Sequence, residues 1–416
     1  MSTTLNRVEE AEAVLRQLMT EHQTDPYPLF ARLRELDPIH RSSTGNFWTL
    51  SRYDDVQDIL KDKRFIRNFD EFHHLGSGPD ADVKRPFIES QRRWLIFQNP
   101  PAYMAKRAVY NSAVFSRTRV MDLRPLITSL TDELLTGAAQ RGEIDIVGEL
   151  GYQLAIKVMG HLLGLPTGDD VKLFLDWADA VAPTFEPMVS DAVLRAADDA
   201  MDKLNDFLGD LIEERRSAPT LGDDLISRSV AAMKEGILTE EEVLANAGLL
   251  FIAGFETTSH FLGNAVYSLL SHRDQWDLFV KDPEGLADGA VEELLRFESS
   301  VQAEPPHRFA TEDIEIGKVT IRAGEAVVPL MGAANRDPER FKDPDRLDIT
   351  RKDVRPLSFG GGLHVCIGQH LARLEANITL VELARRFPNL QLSDEEPEWL
   401  GGVTARGLKK LTVRLN

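Results

Sequence analysis

Residues 357 to 376 read L-S-F-G-G-G-L-H-V-C-I-G-Q-H-L-A-R-L-E-A, and they contain the single cysteine of the chain, Cys366. Gly360, Gly361, Gly362 and Gly368 bracket it, which lets backbone approach a flat ligand and lets N–H groups point toward the sulfur. Ile367, Leu371, Leu374 and Ile378 follow at helical spacing. Cys366 therefore sits near a helix N-terminus, where the dipole favours thiolate over thiol. A lone cysteine is ordinarily an inert core residue, but the glycines and the helix start argue for a ligand here.

Outside this stretch the pattern is mostly helical. Apolar residues recur at three- and four-residue spacing over Ala11 to His22, Tyr53 to Lys61, Leu123 to Arg141, Asp170 to Ala182, Ala192 to Arg216 and Thr239 to His272. Strand-like alternation is confined to Asn46 to Leu50 and to Ile314 to Leu330, with turns at Gly317 and Gly324. The expected fold is mainly α with a minor β part. No repeat or long linker divides the chain, so a single domain over 1–416 is the simplest organisation. Phe65 to Asn99 reads as a long irregular segment and Ser217 to Asp224 as a polar connector.

The longest helix carries polar residues where an apolar core is expected. Thr239 and Glu242 form a capping-box pattern, and the following A-G-L-L-F-I-A-G-F-E-T-T-S-H-F-L-G is apolar on nearly every face. Gly254, Glu256, Thr257 and Thr258 interrupt it; a buried carboxylate is costly unless paired. One reading is a local bend in which Thr257 bonds the Ala253 carbonyl one turn back. The other is that Ala253 and Gly254 leave room beside the helix, where a hydroxyl and a carboxylate deliver protons to a ligand.

Composition removes several classes of function. The formal charge of −19 opposes nucleic-acid binding. One cysteine excludes an intramolecular disulfide, and it cannot by itself form the multi-cysteine clusters of structural zinc or iron–sulfur sites, but it can be the one axial ligand of a heme iron. The N-terminus lacks an apolar signal-peptide core, and the longest nearly apolar run, Val243 to Phe255, is shorter than the roughly 20 residues that span a bilayer. A cytoplasmic protein without a membrane partner is expected.

Taken together, these segments resemble the cytochrome P450 superfamily. F-G-x-G-x-H-x-C-x-G at Phe359 to Gly368 is similar to the cysteine-ligand signature, and A-G-x-E-T-T at Ala253 to Thr258 to the oxygen-activation motif of the long central helix. Glu293-x-x-Arg296, with P-D-R-L at Pro344 to Leu347, resembles the structural Glu-Arg-Arg cluster; P-E-R-F at Pro338 to Phe341 looks like a decoy.

The resemblance implies the P450 fold, with its long central helix over a buried heme b. Cys366 would be the axial ligand of the heme iron, and Glu256 and Thr257 the catalytic proton relay. His364, Arg308, Arg107 and Tyr103 would contact heme propionates, Tyr103 standing where the family usually has histidine. Phe359, Gly360, Ala253 and Gly254 would lie against the heme, and Glu293, Arg296 and Arg346 would hold the fold around it. Leu250, Phe251, Val301, Gln302 and Ala303 would face substrate, as would parts of Phe65 to Gln98, Ala182 to Val189 and Gly402 to Thr404. The implied activity is a monooxygenase of the soluble bacterial type, hydroxylating or epoxidising a mid-sized lipophilic secondary metabolite such as a macrolide or terpenoid. It would use O2 and electrons from ferredoxin and ferredoxin reductase, docked on the cysteine side, with Arg373 a candidate contact. Oxidative coupling or desaturation on the same heme, and a non-catalytic heme-thiolate sensor or carrier-domain binding module, are the alternatives.

Overall fold

A computed structural model describes residues 2–21, 23–43, 45–72, 85–165, 176–177, 179–185, 189–304 and 307–415, with side chains from residue 6 onward. The helices are α1 (Ser2–Thr20), α2 (Tyr27–Leu36), α3 (Tyr53–Lys61), α4 (Pro86–Arg92), α5 (Ala102–Tyr110), α6 (Arg117–Asp122), α7 (Arg124–Ala139), α8 (Gln153–Leu163), α9 (Asp191–Ser217), α10 (Leu225–Lys234), α11 (Glu240–Ser271), α12 (Arg273–Lys281), α13 (Pro283–Phe297), α14 (Met331–Ala334) and α15 (Gln369–Arg386). Strands β1 (Ile39–Arg41), β2 (Phe47–Leu50), β3 (Phe65–Ile66), β5 (Arg308–Ala310) and β8 (Ala326–Pro329) form one sheet in the order β1-β2-β8-β5-β3, in which β2 runs parallel to β8. The hairpin β6 (Ile314–Ile316) and β7 (Val319–Ile321) turns at Gly317, whose φ of 59° suits glycine. Two small sheets, β4 (Glu143–Asp145) with β12 (Thr412–Arg414) and β9 (Gln391–Leu392), and β10 (Glu398–Trp399) with β11 (Leu408–Lys410), close the C-terminal side.

The long helix α11 organises the interior. Thr239 caps it, and Glu242 returns a bond to the Thr239 backbone, so both halves of the capping box form. Its N-terminal half packs with α8, α9 and α10 in one apolar cluster, and its C-terminal half with α12, α13, α15 and the C-terminal strands in a second. Gly254 lies where α11 meets α8: a Cβ there would stand 2.5 Å from the Met159 sulfur. This glycine makes room for a neighbouring helix, which corrects the expectation that it opens space for a ligand.

The helical periods and the strand region 314–330 are found within a few residues at their ends, except that α1 begins at Ser2, nine residues before the expected Ala11. The Asp170 to Ala182 helix falls largely outside the described residues, as does part of the Ala182 to Val189 segment. Phe65 to Asn99 contains more order than its sequence suggests: β3, α4 and a 3-10 turn at Leu95–Phe97. Asn246 orders the latter, accepting from the Leu95 N–H at 2.6 Å and donating to the carbonyls of Arg93 and Glu242.

Candidate active site

The loop before α15 is shaped to present Cys366. Gly360 and Gly362 adopt φ of 66° and 65°, and a Cβ on Gly362 would stand 2.1 Å from the Leu60 carbonyl oxygen, so the loop packs directly on the end of α3. The Cys366 N–H donates to the Phe359 carbonyl at 2.9 Å. Backbone N–H groups of Gly368 and Gln369 point at the sulfur. Burial nevertheless pushes the thiol up, outweighing those N–H groups and the charges of Arg107 and Arg373; the helix dipole alone does not make this sulfur a thiolate, and a bound cation would. Although deeply set, Cys366 presents open surface, as does Ala253 in the middle of buried α11.

Thr257 lies one turn beyond Ala253 and donates to its carbonyl at 2.9 Å; Thr258 does the same to Gly254 at 3.0 Å. The bend-forming bond and the half-exposed hydroxyl therefore coexist. Burial, then the charge of Asp179, pushes the Glu256 carboxyl up to about 7. Close by on the same face, His260 is buried and pushed down to about 4, with Nε2 at 3.4 Å from the Tyr152 hydroxyl.

A cationic cluster adjoins the cysteine loop. Glu304 receives both Arg308 nitrogens, at 2.7 and 2.8 Å, and Arg67 at 2.7 Å; all three side chains are less than a tenth exposed. Burial alone would raise the Glu304 carboxyl, but the two guanidiniums hold it at about 2. His364 stacks on Tyr103 and is pushed down to about 3 by burial and by Arg67 and Arg308, so it is a neutral ring near neutral pH. Tyr103 donates to the Leu363 carbonyl at 2.7 Å and accepts from Arg107, which also donates to the Val365 carbonyl at 2.6 Å. Tyr103 thus braces the loop and spends its O–H doing so.

Several expected residues are placed differently. The Glu293–Arg296 pair is fully buried at 2.8 Å, but the second arginine on Glu293 is Arg351, at 3.2 Å; the exposed Arg346 contributes its backbone carbonyl to Arg296 and Arg351. The physical reason is a turn at Asp348–Arg351 whose backbone also donates to Glu293. Gln302 points to Tyr27 and the Ser299 carbonyl, and Ala303 packs with α1 and α2, so neither shows the open surface expected of a substrate contact. Leu250 and Phe251 are buried in the first core cluster, and Val301 is half-buried and bridged to Ala405. Phe359 lies under the Arg373 guanidinium at 4.4 Å, and Arg373 pairs with Glu292, which makes it a brace of the cysteine loop. Arg67 and Arg351 escaped the sequence reading because they reach their partners across 237 and 58 residues.

The cytochrome P450 family model matches residues 172–277 and 285–402. The chain belongs to the cytochrome P450 family. This P450 is 38% identical over 400 residues to cytochrome P450 107B1 of Saccharopolyspora erythraea, covering 94% of this chain and 95% of that one. It is 36% identical to the monooxygenase PikC of Streptomyces venezuelae, covering 96% and 93%. Among solved structures it superposes with a TM-score of 0.87 on P450BioI in complex with hexadec-9Z-enoic acid ligated acyl carrier protein, at 32% identity, covering 96% of this chain and 100% of that one. It is a P450 monooxygenase, an oxidoreductase, of a family that includes polyketide and secondary-metabolite enzymes. No described helix is long and apolar enough to cross a membrane.

Proposed function

We propose that this P450 is a single-domain cytoplasmic enzyme that binds heme b and hydroxylates or epoxidises a mid-sized lipophilic secondary metabolite of the macrolide or terpenoid kind, fed by ferredoxin and its reductase. The observation that carries it is the pairing of an open Cys366, with two N–H groups at its sulfur, and Ala253 and Thr257 on the long helix. The exposed sulfur of Cys366 and the buried cationic cluster suit an iron-bearing dicarboxylate. When bound, the heme supplies the iron at which O2 is activated for insertion into a C–H or C=C bond.

The chain's own residues do the rest. Cys366 would hold the iron, and the N–H groups of Gly368 and Gln369 at its sulfur would moderate the charge there. Glu256, close to half protonated at neutral pH, holds a proton at its carboxyl and can release it toward the Thr257 hydroxyl. Thr257 donates its own hydrogen to Ala253, which leaves its lone pairs to accept from a water and orient it. Arg308, with Arg107 of α5 bonded to the cysteine loop, would meet the propionates.

The test is spectroscopic and kinetic. The reduced carbon monoxide complex is expected to show the red-shifted Soret band of a trans thiolate, lost in Cys366→Ala. Thr257→Ala is expected to lower coupling of electron use to product about tenfold or more; unchanged coupling would remove the relay, and a histidine-type band in fresh wild-type protein would remove the thiolate assignment. The likeness to a carrier-protein complex motivates one more arm: spin-state titration with free metabolites beside acyl-carrier conjugates, where a shift with the conjugate alone identifies a carrier-bound substrate.

A further inference from the structure

Polar contacts fasten the first helix to α2 and to the sheet. Toward α2, Arg7 donates to the carbonyls of Glu35 and Leu36, and Glu10 forms an exposed pair with Arg32. Toward the sheet, the Glu12 carboxylate accepts from the Ser43 N–H at 3.0 Å and from the Ser43 hydroxyl at 2.9 Å, and lies 2.9 Å from Nε2 of His40 on β1. Nδ1 of the same ring lies 3.0 Å from Asp37, in the turn after α2. His40 is thus gripped at both nitrogens, and its side chain is 1% exposed. An ionised carboxylate only accepts, so both ring nitrogens have to donate, and imidazole carries two N–H groups only when protonated. The bracket is therefore built around an imidazolium. Burial alone would push the ring down, but Asp37 and then Glu12 more than offset this and hold it above the 6.5 of a free histidine. Burial would likewise raise the Glu12 carboxyl, but Ser43 and His40 hold it lowered, so it stays ionised. No other charge enters from the neighbouring strand: β2 sets the uncharged Thr49 opposite His40, and the adjacent Arg41 turns to Glu325.

Loss of the ring proton leaves one of the two carboxylates facing a lone pair in a site shielded from water, where an unpaired charge is costly. Asp37, 30% exposed, can turn to solvent; Glu12, 13% exposed, reaches water by moving with α1. We propose that the Asp37–His40–Glu12 bracket is a pH-sensitive clasp, which holds α1 to β1 while the ring is protonated and lets α1 lift from the sheet when the proton leaves. The buried face of α1, with Ala11, Leu15 and Leu18, packs in one cluster with Phe47, Ala303 and Phe309. Ala303 and Phe309 flank Glu304 and Arg308, so the clasp governs the cover over the segment that carries the cationic cluster. The folded protein binds this proton more tightly than the unfolded chain does. The contribution of the clasp is therefore complete below the free-histidine value of 6.5 and is lost as pH rises through the folded value.

The test is hydrogen exchange read by mass spectrometry on the intact protein at pH 6 and pH 9, with the intrinsic rates corrected for pH. Protection over 8–20 is expected to fall about tenfold or more between the two, relative to the core of α11 in the same samples. His40→Gln, which has no ring proton to lose, is expected to show the same protection at both. Glu12→Gln leaves the strand unchanged, and its amide can face either form of the ring; it is also expected to flatten the profile, and it serves if the first variant does not fold. Equal protection of α1 at pH 6 and pH 9 in wild type overturns the clasp. So does a loss of protection with pH that persists unchanged in the variants, which would place the titrating group elsewhere. Because the readout is local exchange in α1, neither result bears on the heme-thiolate reading.

Discussion

Glu256 shows how a single residue's surroundings set its chemistry. Its folded-state value of about 7 lies above the 4.5 of a free glutamate because burial, and then Asp179, penalise the charged form. The carboxyl is therefore protonated below pH 7 and ionised above it. Coupling of electrons to product is expected to fall as pH rises through 7, and Glu256→Gln is expected to give a lower, flat profile; a wild-type profile flat from pH 6 to 8 would contradict this. Glu375 on α15 makes the parallel point for stability. It is fully buried, neither oxygen has a partner, and burial pushes it up to about 8. Between 4.5 and 8 the folded protein binds more protons than the unfolded chain, so this residue lowers stability as pH rises through that window. Glu375→Gln is expected to gain stability relative to wild type between pH 5.5 and 8.5, on the order of 3 kcal/mol by denaturant titration. Features whose signal lies in local spacing, such as the buried Glu293–Arg296 pair and the Thr257 bond back to Ala253, were legible in the sequence. Arg67 was not, because its meaning depends on Glu304 and Asn99 brought to it by the fold, and no periodicity marks a contact across a sheet.

At the scale of elements, the polar interruptions of α11 separate into two kinds. Thr257 lies on the open side and keeps its acceptor capacity, whereas Asn246, three turns earlier, is fully used in ordering the turn at Leu95–Phe97. That turn leads through Asn99 to the Arg67 backbone and through Tyr103 to the cysteine loop, so α11 and the cationic cluster are joined by a short chain of asparagine and tyrosine contacts. Asn246→Ala leaves the buried Leu95 N–H without an acceptor, at a cost of about 1–3 kcal/mol. Hydrogen exchange is expected to quicken at 93–97 before it does in the core of α11; equal protection in both proteins would show that the turn holds itself. The long period of α11 and its capping box were readable because they are local. The short C-terminal strands were not, since two- and three-residue strands carry too few alternations to register, and they exist because β12 and β11 find partners elsewhere.

For the whole molecule, electrostatics bear most directly on electron supply. A body of formal charge −19 repels an acidic one-electron donor at long range, so productive encounter needs a local cationic face near Cys366. Arg373, which sequence position nominates, is stacked on Phe359 and paired with Glu292, and a paired cation projects little field. Arg117 is better placed: it is exposed at the start of α6, its charge acts on His370 at the start of α15, and the exposed Met104 and Met121 lie on the neighbouring helices α5 and α6. Reversal of that charge acts on association, while the rate within the complex depends on distance to the iron and should hold. With the proposed ferredoxin as donor, Arg117→Glu is accordingly expected to raise the donor's KM several-fold at low ionic strength with kcat unchanged, and the difference should vanish near 0.5 M salt, where the Debye length falls to about 4 Å. Arg373→Gln should leave the KM within about twofold, as a paired charge predicts; a larger effect on the donor's KM than Arg117→Glu would move the docking face onto the cysteine loop itself.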